Sequence, residues 1–186
     1  MRVISGQFGS RRLTPVPTNK TRPTTDKVKE ALFNMIGPYF QNGQFLDLYA
    51  GSGGVGIEAI SRGMSKAFLV DKQMAAIRTI RANVQMTKHP EQFKILKMDA
   101  NQALDEFENE KIKFNFVYLD PPYKKQKMVQ QLNKLNNKKL LLSNALVICE
   151  TDNHVELSDN IDSYQLIQQK NYGLTVISIY KYVGDK

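Results

Sequence analysis

Asp120, Pro121, Pro122 and Tyr123 bring a carboxylate, two prolines and an aromatic ring into four consecutive residues. They follow the apolar run from Phe114 to Leu119, which reads as a fully buried strand. Ligands of open α/β sheets bind outside the carboxyl ends of the strands, where this turn falls. Proline fixes φ and removes a backbone donor, so carbonyls here stay free to accept hydrogen bonds. A rigid, acceptor-rich turn with an aromatic plate beside it suits a flat substrate carrying an exocyclic NH2. The matching chemistry is methyl transfer to an amino nitrogen. Asp120 and the Pro121 carbonyl would accept the two N–H bonds, and Tyr123 would stack on the base. The expected catalytic set is therefore Asp120, Pro121, Pro122 and Tyr123.

A second group lies upstream. The run Ala50-Gly51-Ser52-Gly53-Gly54-Val55-Gly56 follows one expected strand and opens a helix, and Gly51, Gly53 and Gly56 satisfy G-x-G-x-x-G in that context. Asp71 ends the next strand and is placed to bind ribose hydroxyls. These features fit any adenosine cofactor, NAD and S-adenosylmethionine (SAM) alike. Asp47, within the strand before the glycines, favours SAM, because a carboxylate there attracts a cationic amino-acid end and repels a pyrophosphate. Asp99 closes the third strand, where it can accept from the adenine amino group, and Asp120 closes the fourth. The expected cofactor contacts are Asp47, Tyr49, Ala50, Gly51, Ser52, Gly53, Gly56, Asp71, Lys72, Asp99 and Ala100.

Charge points to the partner. The formal net charge is +8 in 186 residues, which favours a polyanion, with RNA or DNA first. Arg2, Arg11, Arg12, Lys20 and Arg22 fall between Met1 and Thr25 with no acidic residue among them. Lys124, Lys125 and Lys127 follow the Asp120 turn, while Asp105, Glu106, Glu108 and Glu110 cluster elsewhere. Arg2, Arg11, Arg12, Lys20, Arg22, Lys124 and Lys125 are the expected RNA contacts. Arg22 could equally bridge to the neighbouring helix. The one cysteine, Cys149, sits in an apolar run and reads as a core residue. His89 and His154 lack ligand-spaced neighbours, so no zinc site is expected. Neither a membrane-length apolar run nor a signal-peptide pattern is present. The expectation is a cytoplasmic, monomeric protein without a membrane role.

Positioning these residues requires a particular order of elements. A basic arm, irregular over most of its length, spans 1–25, and a helix begins after Thr24-Thr25-Asp26. Strands are expected at Phe45 to Tyr49, Lys66 to Asp71, Phe93 to Met98, Phe114 to Leu119 and Ala145 to Glu150. Helices alternate with them at Val55 to Arg62, Met74 to Met86, Gln102 to Phe107 and Lys127 to Asn136. This is the pattern of a mostly parallel, doubly wound α/β sheet. Tyr164 to Lys170 and Leu174 to Tyr182 break it as an antiparallel edge pair. One domain, 1–186, is expected, with the catalytic core over 26–186.

Over nearly its whole length the chain resembles the RsmD-type bacterial methyltransferases, which methylate a guanine N2 in small-subunit (16S) ribosomal RNA. The segments that carry the likeness are Arg2-Val3-Ile4-Ser5-Gly6, Thr21-Arg22-Pro23-Thr24-Thr25-Asp26 through Glu30-Ala31-Leu32-Phe33-Asn34, Phe45 through Gly53, and Asp120-Pro121-Pro122-Tyr123. The resemblance implies the Rossmann-like, seven-stranded class I methyltransferase fold, SAM as cofactor, and 16S rRNA or the small ribosomal subunit as partner. In the family pattern Glu is commoner at Asp71, and Arg is commoner at Lys27 and Lys29. Other readings of the residues are adenine N6, cytosine N4 or protein glutamine as the target amine, an NAD-dependent oxidoreductase, and a non-catalytic RNA-binding module.

Overall fold

Three short apolar runs pair in parallel, each followed or preceded by a helix with one apolar face, and from them the first half of the chain is built. In the computed structural model, residues 1–17, 25–122, 124–158 and 160–184 are described. The chain divides into two compact units, Met1–Ala100 and Asn101–Lys186.

In the first unit, β1 (Gln44–Asp47), β2 (Lys66–Asp71) and β3 (Phe93–Lys97) lie in the order β3-β2-β1. Asp47 is in register with Leu69, and Asp71 with Lys97. The helices are α1 (Asp26–Ile36), α2 (Gly54–Ser61) and α3 (Met74–Gln85). α1 starts where the Thr25 hydroxyl accepts from the Val28 N–H at 3.3 Å, and stops before Gly37-Pro38. Its buried stripe is Val28, Lys29, Leu32, Phe33 and Ile36. A lysine on an apolar stripe needs a partner, and α2 supplies it.

Glu58 of α2 is fully buried and collects four donors. The Ile4 and Ser5 N–H groups reach it at 2.7 and 3.0 Å, Arg62 Nε at 2.8 Å and Lys29 Nζ at 3.3 Å. Lys29 also donates to the Arg2 carbonyl, and Arg62 to the Pro38 carbonyl. One carboxylate thus ties α1, α2 and the N-terminal segment together. Burial holds the Lys29 ammonium below its ordinary value, opposed by the attraction of Glu58.

The N-terminal segment is irregular in backbone but is packed. Val3, Phe8 and Leu13 are buried, and the segment folds on itself through an antiparallel Arg2–Arg12 bridge and the Leu13 N–H to Met1 carbonyl bond. Its Gly, Pro, Ser and Thr content suggested an irregular basic arm, and the segment is held down by those buried apolar side chains and by the Ile4 and Ser5 bonds to Glu58.

In the second unit, α4 (Ala100–Asn109) begins at the boundary and is followed by β4 (Phe114–Leu119), α5 (Lys124–Asn137) and β5 (Leu141–Asp152). β4 and β5 are parallel. β7 (Tyr164–Tyr172) and β8 (Thr175–Tyr182) form the expected hairpin, with Gly173 at φ 74° in its turn, and β8 pairs antiparallel with β5. Seven strands were expected, and among the described residues β6 (Asn160–Ile161) is a further two-residue strand on β7. β5 runs longer at both ends than its apolar centre suggested, because β4 pairs with it at Leu141 and β8 as far as Asp152. Cys149 is buried in β5, and burial pushes its thiol up.

Candidate functional site

The glycine loop joins β1 to α2, and each of its three motif glycines has its own reason. Gly51 and Gly53 adopt φ of 55° and 79°, the left-handed region that side chains avoid. A Cβ at Gly56 would stand 2.2 Å from Leu69 Cδ2, so glycine is what lets α2 lie against β2. A Cβ at Gly51 would meet nothing within 4 Å, which leaves the loop open at that point for a ligand to approach the backbone. The cradle therefore fits an adenosine-type cofactor.

Asp71 closes the loop. One carboxylate oxygen accepts from the Gly51 N–H at 3.0 Å and the other from the Gln73 N–H at 2.8 Å. Desolvation raises its carboxyl above the ordinary range, opposed by those two bonds. A carboxylate offers about four lone-pair sites, so capacity remains for ribose hydroxyls. Asp71 thus shapes the loop as well as facing the expected ligand.

Register sets the depth of the other acids. Asp47 pairs with Leu69, two residues before Asp71, and so sits roughly 7 Å deeper along the strand direction. It is 1% exposed. Asp99 follows β3 by two residues and is exposed, with Ala100 buried behind it. Three acids therefore stand at graded depths along the carboxyl edge of one parallel sheet. Tyr49 and Ser52 are half-buried, Ala50 is buried and Lys72 is exposed.

Sequence reading missed Asn83. This buried α3 side chain donates to the Ser52 and Thr14 carbonyls, both at 2.9 Å, and accepts from the Thr14 N–H at 2.9 Å. It joins the cofactor loop to the N-terminal segment. The available signal was an amide on the stripe formed by Ala76, Ile80 and Val84. Glu58 carried the same kind of signal, a charge inside an apolar helix.

In the second unit, Asp120 follows β4 directly and is half-buried, Pro121 is buried and Pro122 is exposed. The buried Tyr118 hydroxyl donates to Glu150 of β5 on the same strand pair. Tyr123 lies outside the described residues.

The expected basic contacts separate by environment. Arg2 pairs with Asp26 at 3.6 Å. Arg11 lies over the Phe8 ring and donates to the Met86 and Thr87 carbonyls at 2.8 and 3.0 Å, capping the carboxyl end of α3. Arg12 is exposed. Lys20 and Arg22 lie outside the described residues, as do the side chains of Lys124 and Lys125 at the start of α5.

Comparison with known proteins fits this arrangement. A family model described as "Conserved hypothetical protein 95" matches residues 1–181. YlbH of Bacillus subtilis, provisionally described as an rRNA methyltransferase, is 43% identical over 99% of this chain and 100% of its own length. Ribosomal RNA small subunit methyltransferase D of Haemophilus influenzae is 30% identical, covering 97% of this chain and 93% of that protein. The solved structure of yhhF from Escherichia coli, provisionally a methyltransferase, superposes with a TM-score of 0.84 at 28% identity, over 100% of this chain and 99% of that one. The expected class I architecture and the family resemblance are both borne out.

Proposed function

We propose that this chain, which belongs to the Conserved hypothetical protein 95 family, transfers a methyl group from SAM to the exocyclic N2 of a guanine in small-subunit (16S) rRNA. The observation that carries the reading is the glycine loop held open and pinned to Asp71, in a chain that also bears Asp-Pro-Pro-Tyr after a strand. The rRNA substrate is supported by the relatives named for it.

When bound, SAM supplies an electrophilic methyl on a sulfonium. Asp71 accepts from the ribose hydroxyls with its remaining lone pairs, and Asp99 accepts from the adenine amine. Asp47, buried at the base of the loop, contributes negative charge in a low-dielectric setting where it favours a cationic ligand. The guanine N2 lone pair is delocalised into the ring, so the amine is a weak nucleophile. Asp120 and the Pro121 carbonyl would accept its two N–H bonds and favour sp3 character at the nitrogen as the C–N bond forms. Bound SAM would supply the methyl and keep the C–S electrons on sulfur, and Asp120 would take the surplus N2 proton and pass it to solvent. Tyr123 stacks on the base. Most of the acceleration is positioning and preorganised charge.

Asp120→Ala tests the assignment. Methyl transfer should fall by roughly 10²-fold or more, while SAM still raises the melting temperature. Loss of the SAM-induced shift would make Asp120 a cofactor ligand instead.

A further inference from the structure

Helix α3 carries a cationic face that the proposed chemistry does not use. Its sequence, Met74–Gln85, contains Arg78 and Arg81 and no acidic residue. Both arginines are exposed, and neither has an ion pair among the described residues. Three residues apart on a helix, they are surface neighbours, with Cβ atoms about 5–6 Å from one another. Acids at helical spacing would compensate such charges, and here that compensation is missing.

A further exposed arginine, Arg12, lies on the segment that packs against α3. The N-terminal segment runs against α3 in the opposite direction. Arg11 is fixed on the Met86 and Thr87 carbonyls, and Thr14 on the Asn83 side chain. Arg12 lies between these two anchor points and is exposed. The bonds of its neighbours thus hold Arg12 near the carboxyl end of the helix that bears Arg78 and Arg81. The acids that flank α3 in sequence are Asp71, which accepts from the Gly51 and Gln73 N–H groups, and Glu91, which is engaged by His89 at 3.2 Å.

We propose that Arg12, Arg78 and Arg81 form a docking surface for the phosphate backbone of the RNA substrate. The idea rests on the rRNA reading above and adds residues to it. Guanidinium forks match phosphate oxygens in two-point contacts and are weakly hydrated. Backbone contacts of this kind fix register without reading sequence. RNA helices are recognised chiefly by shape and by phosphate and 2′-OH contacts. The surface therefore grips the RNA backbone without reading its bases.

The test is the salt dependence of binding to naked small-subunit rRNA, which needs no turnover. Arg78→Gln/Arg81→Gln keeps helix propensity nearly unchanged. It should reduce the slope of log K against log salt by about two, one for each phosphate that is no longer neutralised. SAM binding and melting temperature should stay as in the parent protein. Lys113→Gln/Lys170→Gln removes the same charge from exposed positions elsewhere and should leave the slope unchanged. An unaltered slope in the α3 variant, an equal fall in the control, or no RNA binding by the parent protein would each overturn the proposal. Methyl transfer by the parent protein, measured separately, scores the rRNA reading. Transfer with an unaltered slope rejects this surface and keeps that reading.

Discussion

Asp71 pins the glycine loop with the same carboxylate that is proposed to meet the ribose. Its two oxygens are already used by the Gly51 and Gln73 N–H groups, so the proposed ribose contact would be made by a carboxylate fixed in advance. Burial raises its carboxyl above 3.8, which means that the folded chain holds this proton more tightly than the unfolded chain does. The stability gained from that proton is complete below pH 3.8 and is lost as pH rises through the folded-state value. Asp71→Asn has no such titration. The melting temperature of Asp71→Asn relative to the parent should therefore rise between acid pH and neutrality. A constant difference across the range would show that burial at Asp71 is not the dominant influence. The position of Asp71 at the end of the second strand was legible in the sequence. Its bond to Gly51 was not, because that depends on how far the loop folds back.

At the level of elements, the apolar runs and helical stripes set most boundaries to within a few residues. Lys66–Asp71 and Phe114–Leu119 fall where the apolar pattern placed them. What the pattern hid was the joint among α1, α2 and the N-terminal segment. Lys29, Glu58 and Arg62 are all at most 4% exposed, and their mutual pairing had no signal in the sequence. Their pairing is non-local, and periodicity reports only which face is apolar. Glu58→Ala would leave two buried cations without their carboxylate and two N–H groups without an acceptor. A loss of about 3–5 kcal/mol in urea unfolding is expected. Replacing Lys29, Glu58 and Arg62 together with methionine should recover much of it, since no buried charge then remains. Failure of the triple variant to exceed Glu58→Ala would show that the lost acceptors, and not the charges, set the cost. The same joint bears on the N-terminal arm. Deleting it would uncover the hydrophobic partners of Val3, Phe8 and Leu13, so any loss of RNA affinity would be mixed with unfolding. Point changes on exposed arginines are the cleaner probe.

Across the whole molecule, the +8 charge is unevenly committed. Lys138 bridges Asp105 and Glu108 at 2.8 and 2.6 Å, so the acidic cluster is partly neutralised within its own unit. Arg2 and Arg11 are engaged in structure, whereas Arg12, Arg78 and Arg81 stay open to solvent. Composition indicated the sign of the partner's charge but not which cations are available, because that depends on caps and ion pairs formed in the fold. The central claim concerns what is methylated, and one measurement reaches it directly. Labelled methyl from SAM is offered to small ribosomal subunits lacking the modification and to naked 16S rRNA, and the RNA is digested to nucleosides. The expected result is label in N2-methylguanosine on at least one substrate. Label in a different nucleoside, or none in RNA from protein that binds SAM, would contradict it.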